Sequence, residues 1–404
     1  GGNLRKLHYL LGSPEKPREK LEALLEKVKG HKKIHLYLET AIDEVTGSLG
    51  NFKTKLAGIN GGAQREIGHG AIIVATGAQE YRPTEFFYGQ DSRVLTQVEL
   101  EEKLAQKKPE IRDLKSVVMI QCVGSRTKER PYCSRVCCSH AIKNALKLKE
   151  LKPETEVYVL YRDIRSYGFR EEYYRKAREA GVVFLRYNED AEPSVAKENG
   201  GLKVTVNDPV LRTTVTINAD LLALSTAVIP SPGNENLAQK LKVPLNQDKF
   251  FLEAHIKLRP VDFATDGIFM CGLAHYPKDV DESIAQACAA ASRAATILSQ
   301  KQIELDAVVS HVIDESCDGC AYCIDPCPYK ALTLIEYMSK GAIKKTVDRD
   351  LAVCKGCGVC QATCPKKGII VGNFKLEQLA AMVEAALQPA EQPKMEVVEV
   401  VSDK

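Results

Sequence analysis

The sequence predicts an α/β protein with parallel strands, followed by a smaller, cysteine-rich α+β domain. Apolar strands alternate with helical segments between residues 116 and 185, at the spacing of a parallel strand–helix–strand unit. Beyond residue 302 the pattern changes to short strands and hairpins that hold eight of the fourteen cysteines. A chain of 404 residues is also too long for one ordinary core, so we expect two or three domains.

Composition and charge argue against two classes of protein. Apolar residues make up 44% and charged residues 27% of the chain, which is ordinary for a globular protein. The net charge of +3 does not indicate a nucleic-acid-binding surface. No apolar run approaches the roughly 18–20 residues that cross a bilayer, and Leu221–Val228, one of the longest, predicts a buried strand. We therefore expect neither a nucleic-acid partner nor a membrane span.

In the first third of the chain, residues 5–31 carry Leu-spaced, charged patterns that predict an amphipathic helix. Strands are predicted at Ile34–Leu38 and Gly50–Leu56. Two further strands end alike: Ala71–Val74 and Leu221–Leu224 each run into a small-residue turn and then a proline. This repetition indicates two related nucleotide-binding units.

The remaining elements follow from apolar runs and helical periodicity. Those of the α/β part are a strand at Ser116–Gln121, a helix at His140–Leu151, a strand at Glu156–Tyr161, a helix at Arg170–Ala180, a strand at Val182–Leu185, a hairpin of Leu202–Asn207 and Thr213–Ile217, a strand at Asp266–Cys271, and a helix at Glu282–Gln300. A last helix is predicted at Leu376–Leu387, and residues 388–404 lack a core pattern and predict a flexible tail.

Twelve of the fourteen cysteines fall into three groups of four with short spacings. Two groups repeat the run C-x2-C-x2-C-x3-C-P, which is typical of bacterial ferredoxins; they are Cys317, Cys320, Cys323 and Cys327 before Pro328, and Cys354, Cys357, Cys360 and Cys364 before Pro365. In such a run three thiolates reach one [4Fe–4S] cluster, and the fourth ligates the other cluster. We therefore assign Cys364 to the cluster of the first run and Cys327 to the cluster of the second.

Two alternatives to iron–sulfur clusters exist for these runs. A disulfide framework is typical of short secreted chains, whereas clustered C-x2-C units in a long chain favour metal in a reducing compartment. A zinc site is typically built from two separated C-x2-C halves. It does not require the third cysteine at two-residue spacing or the proline after the run. Gly319, Gly356 and Gly358 would let the loops wrap closely around a cluster.

The third group comprises Cys122, Cys133, Cys137 and Cys138, at the end of an apolar strand where a nucleotide-binding unit places its glycine-rich turn. Only Gly124 is present there, so a G-x-G-x-x-G fingerprint is absent from this turn. A third cluster, with Arg126 and Arg135 beside it, competes with a redox disulfide and with buried structural thiols. Cys271 and Cys288 are predicted to be small buried hydrophobes.

Several segments together resemble the A subunit of heterodisulfide reductase: QCVGSR, YCSRVCC, LYRDIRSYG, GIFMCG followed by YPKDVDESIAQA, and the two ferredoxin runs. The A subunit of the quinone-interacting oxidoreductase complex of sulfate reducers is also similar. The resemblance implies a thioredoxin-reductase-like flavoprotein with two dinucleotide-binding domains, a C-terminal 2[4Fe–4S] ferredoxin domain, FAD, and a third [4Fe–4S] cluster on the third cysteine group. It also implies a cytoplasmic location.

On this resemblance the chain divides into a first part of the FAD domain (1–112), an NAD(P)-binding-like domain with the inserted cluster loop (113–230), a second FAD part (231–302), the ferredoxin domain (303–374), and a helix with a tail (375–404). Gly1 would lie in the loop beside the flavin. The G-x-G-x-x-G unit that holds the FAD pyrophosphate is therefore expected to precede residue 1, and FAD affinity without it is in question.

The resemblance also assigns residues to the flavin. They lie in the first loop, after an early strand, in the first strand-end turn, and around the start of the Ala-rich helix: Gly2, Asn3, Leu4, Ala41, Ile42, Ala75, Thr76, Gly77, Gly272, Lys278, Asp279, Ser283, Gln286 and Ala287. Leu273 stands where an acidic residue is usual, and Asp279 is the candidate to replace it. For the helix, plain core packing is the alternative.

One lysine is a candidate for a direct catalytic role. Lys143, five residues after Cys138, would place a cation between the third cluster and the flavin, where it stabilises the reduced, anionic ring. Lys278 is a second candidate. The alternative for Lys143 is an ordinary exposed helix lysine.

The function implied is an oxidoreductase component that passes, or bifurcates, electrons between FAD and three clusters. Its partners would be other heterodisulfide-reductase-like subunits, a hydrogenase or formate dehydrogenase module, and ferredoxin, with the flavoprotein core a homodimer. The alternatives are the quinone-linked complex, a flavin-free iron–sulfur relay, and, less favoured, a pyridine-nucleotide oxidoreductase.

Overall fold

The computed structural model describes residues 1–13, 15–59, 62, 64–198, 201–304, 308–339, 341–373 and 376–388. The chain divides into two units, 1–300 and 301–404. The helices are α1 (Pro17–Gly30), α2 (Gln97–Ala105), α3 (Pro109–Arg112), α4 (Cys137–Leu151), α5 (Glu171–Glu179), α6 (Asn234–Leu241), α7 (Val280–Leu298), α8 (Val359–Thr363) and α9 (Leu376–Leu387). Short 3-10 helices occupy Asn3–Lys6, Gly168–Arg170 and Gly272–Ala274.

The strands are β1 (Thr40–Thr46), β2 (Phe52–Gly58), β3 (Arg65–His69), β4 (Ile72–Val74), β5 (Ala78–Glu80), β6 (Val94–Thr96), β7 (Ser116–Val123), β8 (Glu156–Tyr161), β9 (Val182–Arg186), β10 (Ser194–Glu198), β11 (Gly201–Asp208), β12 (Thr213–Ala219), β13 (Leu221–Thr226), β14 (Val228–Pro230), β15 (Ile268–Met270), β16 (Ser310–Val312), β17 (Leu332–Ser339), β18 (Ala342–Arg349) and β19 (Ile369–Val371).

A parallel five-stranded sheet of order β6-β13-β7-β8-β9 is the centre of the first unit. All eight residues of β7 are buried. One face of the sheet, through Met119, packs with Ala141 and Ile142 of α4, and the other face, through Ile120, packs with Val204 of the sheet β10-β11-β12. Because both faces are covered, the central strands are apolar throughout rather than alternating.

Segments far apart in sequence meet beside this sheet. Strand β4 pairs in parallel with β15, and β5 pairs antiparallel with β14, which joins Ala78 to Pro230. The two similar strand ends seen in the sequence therefore lead into strands that pair with each other. Helix α7 contacts β15 and β4, yet only Ala290 and Ala294 of its nineteen residues are buried.

In the second unit the long hairpin β17–β18 and the antiparallel pair β16–β19 flank the two cysteine runs. Its apolar cluster includes Cys323, Cys327, Cys360, Leu332 and Ile369. The core of this unit is thus built largely around the cysteines themselves.

The predicted fold class, α/β with a cysteine-rich α+β C-terminal domain, is confirmed. Most predicted elements are present within a few residues, and β8 and α9 have the predicted bounds. The sheet next to β11 and β12 gains a third strand, β10, that the sequence pattern did not indicate. Of the tail predicted at 388–404, only Gln388 belongs to the described residues.

Two element predictions near the start of the chain are wrong. Residues 34–38 form no strand; their side chains are exposed, Leu38 by 78%, and none of the described strands pairs with them. The helix expected from residue 5 begins at Pro17, whose ring favours the first helical position. None of the helices within the described ranges combines the length and the apolar character that a bilayer span requires.

Candidate redox centres

Two cavities in the second unit each have four cysteines among their lining residues. The first is lined by Cys317, Cys320, Cys323 and Cys364, and the second by Cys354, Cys357, Cys360 and Cys327. Each cavity therefore receives three cysteines from one run and the last cysteine of the other. The structure brings together the two groups named from the sequence, and that each holds a cluster stays a prediction.

The loops around these cavities depend on glycine. At Gly356 φ is +58°, and an added Cβ would lie 2.3 Å from the carbonyl oxygen of Val308. At Gly319 φ is +72°, and an added Cβ would lie 2.5 Å from the Cβ atom of Lys345. A side chain at either place would force the loop away from its neighbours.

Backbone N–H groups are directed at the cysteine sulfurs of both cavities. The amide of Ala331 donates to Cys327 Sγ at 3.4 Å, and that of Gly368 donates to Cys364 Sγ at 3.2 Å. Thiolates ligating an iron–sulfur cluster accept such bonds. The donor set and its hydrogen bonds therefore fit [4Fe–4S] clusters.

The third cysteine group surrounds the turn between β7 and α4. Cys122 is the second-last residue of β7 and has φ of +65°, and Cys137 and Cys138 open α4. Cys122, Cys137 and Cys138 are buried, and Cys133 is half-buried. Burial raises the pKa of Cys122 to about 11, and the charges of Cys138 and Cys133 act in the same direction. The same three thiols also raise the pKa of Cys137, so the four thiols are close enough to influence one another electrostatically.

Arginines surround this group, as the sequence indicated. Arg126 lies against Cys122 and donates to Asp163 at 2.8 Å. Arg135 is held farther out, by Glu282 at 2.7 Å and by the Tyr167 hydroxyl at 2.6 Å. The positive charge on Arg126 is placed to stabilise an anionic group bound by the thiols.

Buried polar atoms near these cysteines have no hydrogen-bond partner within the described part of the chain. They include both amide atoms of Gln121, which is 1% exposed, and the hydroxyl of Ser139. Because unpaired buried polar groups are costly, such atoms indicate a missing partner. Gln121 and Ser139 adjoin Cys122 and Cys138 in sequence, and a group held by the third cysteine quartet is one candidate for that partner.

The structure pairs Lys143 instead of exposing it. Its ammonium group donates to Glu101 Oε2 at 2.7 Å and to the carbonyl of Tyr9 at 2.9 Å, and it lies 4.9 Å from the centre of the Tyr9 ring. His140 also contacts Glu101 Oε2 at 2.7 Å. The exposed-lysine alternative is thus wrong, and the proposed catalytic role stays a prediction. Glu101 was not among the sequence-predicted residues, since nothing in its local pattern distinguishes it from neighbouring surface glutamates.

Five of the residues assigned to the flavin meet where β15 leads into α7. Gly272, with φ of +69°, donates its N–H to Gln286 Oε1 at 2.9 Å and accepts from Lys278 Nζ at 2.8 Å. Asp279 caps α7 by accepting from the N–H of Glu282 at 2.8 Å, and its carbonyl accepts from Ser283 Oγ at 2.7 Å. Ala287 lies on the exposed face of the same helix.

The Asp279 carboxylate is also paired with Arg170, so it has two structural partners. Lys278 is nine-tenths buried, and burial lowers its pKa to about 8. Both residues stay candidates for flavin contact. An open cavity lies next to this region and is lined by Cys133, Arg135, Arg165, Ser166, Tyr167 and Tyr276, among others.

The other flavin candidates lie in two places. Asn3, between Gly2 and Leu4, donates to the carbonyl of Ala78 at 3.2 Å, which brings the first loop to the turn of Ala75, Thr76 and Gly77. Ala41 and Ile42 lie within β1 and pair with β2, rather than following a strand as predicted. The carbonyl of Ile42 accepts from Lys240 at 2.6 Å, so it is already engaged.

The two remaining cysteines differ from each other. Cys271 is buried in the cluster with Phe269 and Ala290, as predicted. Cys288 is exposed on α7, so the prediction of a buried position is wrong there.

Comparison with known proteins supports the cysteine assignment in the second unit. The family described as 4Fe-4S dicluster domain matches residues 316–368, which hold both ferredoxin runs. The prediction of a [4Fe–4S] domain at this position is confirmed.

Over most of its length the chain is similar to A subunits of heterodisulfide reductases. It is 38% identical over 340 residues to the A subunit of the H(2):CoB-CoM heterodisulfide,ferredoxin reductase of Methanothermobacter thermautotrophicus, covering 80% of this chain and 50% of the relative. It is 41% identical over 286 residues to the iron-sulfur A subunit of the CoB--CoM heterodisulfide reductase of Methanocaldococcus jannaschii, covering 66% and 43%. The chain spans about half the length, or less, of these relatives.

Solved thioredoxin reductases are similar in structure at low identity. That of T. acidophilum has a TM-score of 0.47 and 14% identity, covering 74% of this chain and 86% of that one. That of Lactococcus lactis has a TM-score of 0.49 and 15% identity, covering 74% and 88%.

The shared motifs, the dicluster match and identities of 38% and 41% lead to one conclusion. Over the part of their length that it spans, the chain is a homologue of heterodisulfide reductase A subunits.

Proposed function

We propose that the chain is the flavin and iron–sulfur electron-transfer part of a heterodisulfide-reductase-like complex. The observation that carries this proposal is the pair of four-cysteine cavities, each completed by the last cysteine of the other run, within the dicluster match at 316–368. Clusters supply one-electron transfer, and a flavin supplies exchange between electron pairs and single electrons.

Each part of the chain has its own task in this proposal. The two runs and the third quartet would hold three [4Fe–4S] clusters, with backbone N–H groups and Arg126 stabilising their negative charge. The residues around Gly272 and the start of α7 would hold FAD and orient it. The buried Glu101–His140–Lys143 group would fix α4, on which Cys137 and Cys138 lie.

Partners are inferred from the relatives' names. One relative is named for H(2) as well as the heterodisulfide and ferredoxin, and that of Methanococcus maripaludis is named for H(2)/formate. We infer that this chain works with further subunits of such a complex and with a hydrogenase or formate dehydrogenase module. A homodimer of the flavoprotein core is part of the same proposal.

The test is the content of iron, acid-labile sulfide and flavin after anaerobic reconstitution of the chain. We expect about twelve irons and about twelve sulfides per chain, as three [4Fe–4S] clusters require, together with bound FAD. About eight irons would remove the third quartet from the ligand set. Zinc in place of iron would overturn the proposal, and three clusters without flavin in the full-length gene product would support the flavin-free relay instead.

A further inference from the structure

Ser310 and Thr346 occupy corresponding places in the second unit. Both are buried residues with a hydroxyl group; Ser310 is 1% and Thr346 is 5% exposed. Ser310 lies on β16, before the first cysteine run, and Thr346 lies on β18, between the two runs. Ser310 on β16 lies at Cys354, the first cysteine of the second run, and Thr346 on β18 lies at Cys317, the first cysteine of the first run. The two cavities thus each have one hydroxyl next to their first cysteine.

The Ser310 hydroxyl is directed at sulfur. Its Oγ lies 3.5 Å and its backbone nitrogen 3.4 Å from Cys354 Sγ. A thiolate that ligates iron has no proton to give, so both bonds must run from Ser310 to the sulfur. The first sulfur of the second run therefore accepts two hydrogen bonds from Ser310 and one from the backbone of Gly356. The Cys317 sulfur of the first run also accepts backbone hydrogen bonds, from Gly319 and Val347, so the two sulfurs differ by the hydroxyl of Ser310.

The Thr346 hydroxyl lies within reach of two acceptors, the Cys317 sulfur and the carboxylate of Asp314. Thr346 Oγ donates to Asp314 Oδ1 at 2.8 Å, and the other oxygen of Asp314 accepts from the Tyr337 hydroxyl. A hydroxyl has a single proton, so Thr346 cannot donate to Asp314 and to Cys317 at once. These two hydrogen bonds favour the ionised form of Asp314 and lower its pKa. Because Thr346 contacts both Asp314 and Cys317, the carboxylate charge lies one side chain away from the Cys317 sulfur.

We infer that Ser310 and Asp314 make the two ferredoxin clusters unequal, so that the cluster held by Cys354, Cys357, Cys360 and Cys327 is reduced first. This inference rests on the proposed function, since it needs both clusters. Reduction adds one electron, and no proton, to a cluster. Hydrogen bonds to the sulfur stabilise the added negative charge and raise the potential, whereas the Asp314 carboxylate opposes it at the other cluster. Ser310 and Asp314 are positioning residues that set the order in which electrons fill the clusters.

The test is a redox titration of the reconstituted full chain, with dithionite as the electron donor and EPR detection of each reduced cluster. In Ser310→Ala we expect the higher-potential ferredoxin step to move to lower potential while the lower step stays in place. In Asp314→Asn we expect the lower step to move up, since the charge is removed while an amide oxygen can still accept from Thr346. In Thr346→Val, the matched control, neither step should fall.

Two outcomes would overturn the inference. The first is that neither reduction potential changes in Ser310→Ala. The second is that Thr346→Val lowers the potential of the lower step by as much as Ser310→Ala lowers that of the upper step. Iron and sulfide content of every variant distinguishes this failure from failure of the proposed function. If the wild-type chain binds no clusters in the second unit, the proposed function fails. If iron content is full and the steps do not move, only the inference fails.

Discussion

At the residue scale, the buried carboxylate of Glu101 joins three parts of the first unit. It accepts from the N–H groups of His8 and Tyr9 at 2.7 and 3.3 Å, and it contacts His140 and Lys143 of α4 at 2.7 Å each. Burial acts to raise the pKa of Glu101, but His140 and Lys143 hold it at about 2. The same burial lowers the pKa of Lys143. The cost of desolvating Lys143 therefore offsets part of what the pair contributes to stability.

Removing the charge of Glu101 should destabilise the protein. Because Glu101→Gln leaves Lys143 buried without its counter-ion, we expect the free energy of unfolding at pH 7 to fall by about 3–5 kcal/mol. Chemical denaturation measures it, and Glu102→Gln, an exposed neighbour on the same helix, should change it by less than about 0.5 kcal/mol. Equal effects of the two substitutions would contradict the assignment of a buried pair.

The stability that Glu101 contributes should also depend on pH. The pKa of Glu101 is lowered from an ordinary 4.5 to about 2 in the folded state. Its stabilisation is therefore fully present above pH 4.5 and is lost as the pH falls toward 2. The difference in stability between wild type and Glu101→Gln should shrink over that range. A difference that stays constant from pH 6 to pH 2 would show that Glu101 is not ionised in the folded protein.

Gly124, in the loop of the third cysteine group, is required both for its backbone conformation and for its close contact with Tyr81. Its φ is +74°, and an added Cβ would lie 2.3 Å from Tyr81 Cδ1. We expect Gly124→Ala to lower both the melting temperature and the iron content of the first unit. Gly89→Ala is the matched control, since Gly89 has φ of +75° and open space around it, and should show the backbone strain alone. If the two variants behave alike, the contact with Tyr81 is unimportant.

At the scale of elements, the start of α7 depends on Asp279, which both caps the helix and pairs with Arg170. Helix α7 has nineteen residues and only two of them are buried, so packing contributes little to its stability. The cap is correspondingly more important for holding the Gly272 region together.

Two substitutions separate the cap from the ion pair. Asp279→Ala removes both and should lower the free energy of unfolding by about 0.5–2 kcal/mol. Asp279→Asn keeps an oxygen acceptor for the N–H of Glu282 and should retain most of that stability. Thermal unfolding of both variants is the measurement. If Asp279→Asn costs as much as Asp279→Ala, the ion pair with Arg170 is the important interaction.

At the scale of the whole molecule, the cysteine groups lie in separate units: the third quartet in the first unit and both ferredoxin runs in the second. Loss of one ligand should therefore remove one cluster locally and leave the clusters of the other unit in place. This is the behaviour expected of units that each have their own core.

For Cys133→Ala we expect iron to fall from about twelve to about eight per chain, with the two ferredoxin EPR signals retained. Cys288→Ala, which removes an exposed cysteine outside the three groups, should leave iron content unchanged. Twelve irons in Cys133→Ala would show that Cys133 is not a ligand. Loss of all clusters would show that the two units do not fold independently around their cysteines.

Local sequence was sufficient for much of this protein. The alternation of apolar strands and helices predicted the central sheet, because parallel strands covered on both faces must be apolar. The spacing of the two C-x2-C-x2-C-x3-C runs predicted how Cys327 and Cys364 exchange, because a tight loop can direct only three thiolates at one cluster. These features depend on residues close together in the chain.

Only the tertiary structure decided the rest. It paired Lys143 with Glu101, 42 residues away, and placed the Thr346 hydroxyl where it donates to Asp314. It left residues 34–38 without a strand partner and Cys288 exposed. Burial, ion pairing and the direction of a single hydroxyl proton depend on which distant segments come into contact. The spacing of residues within one segment does not determine those contacts.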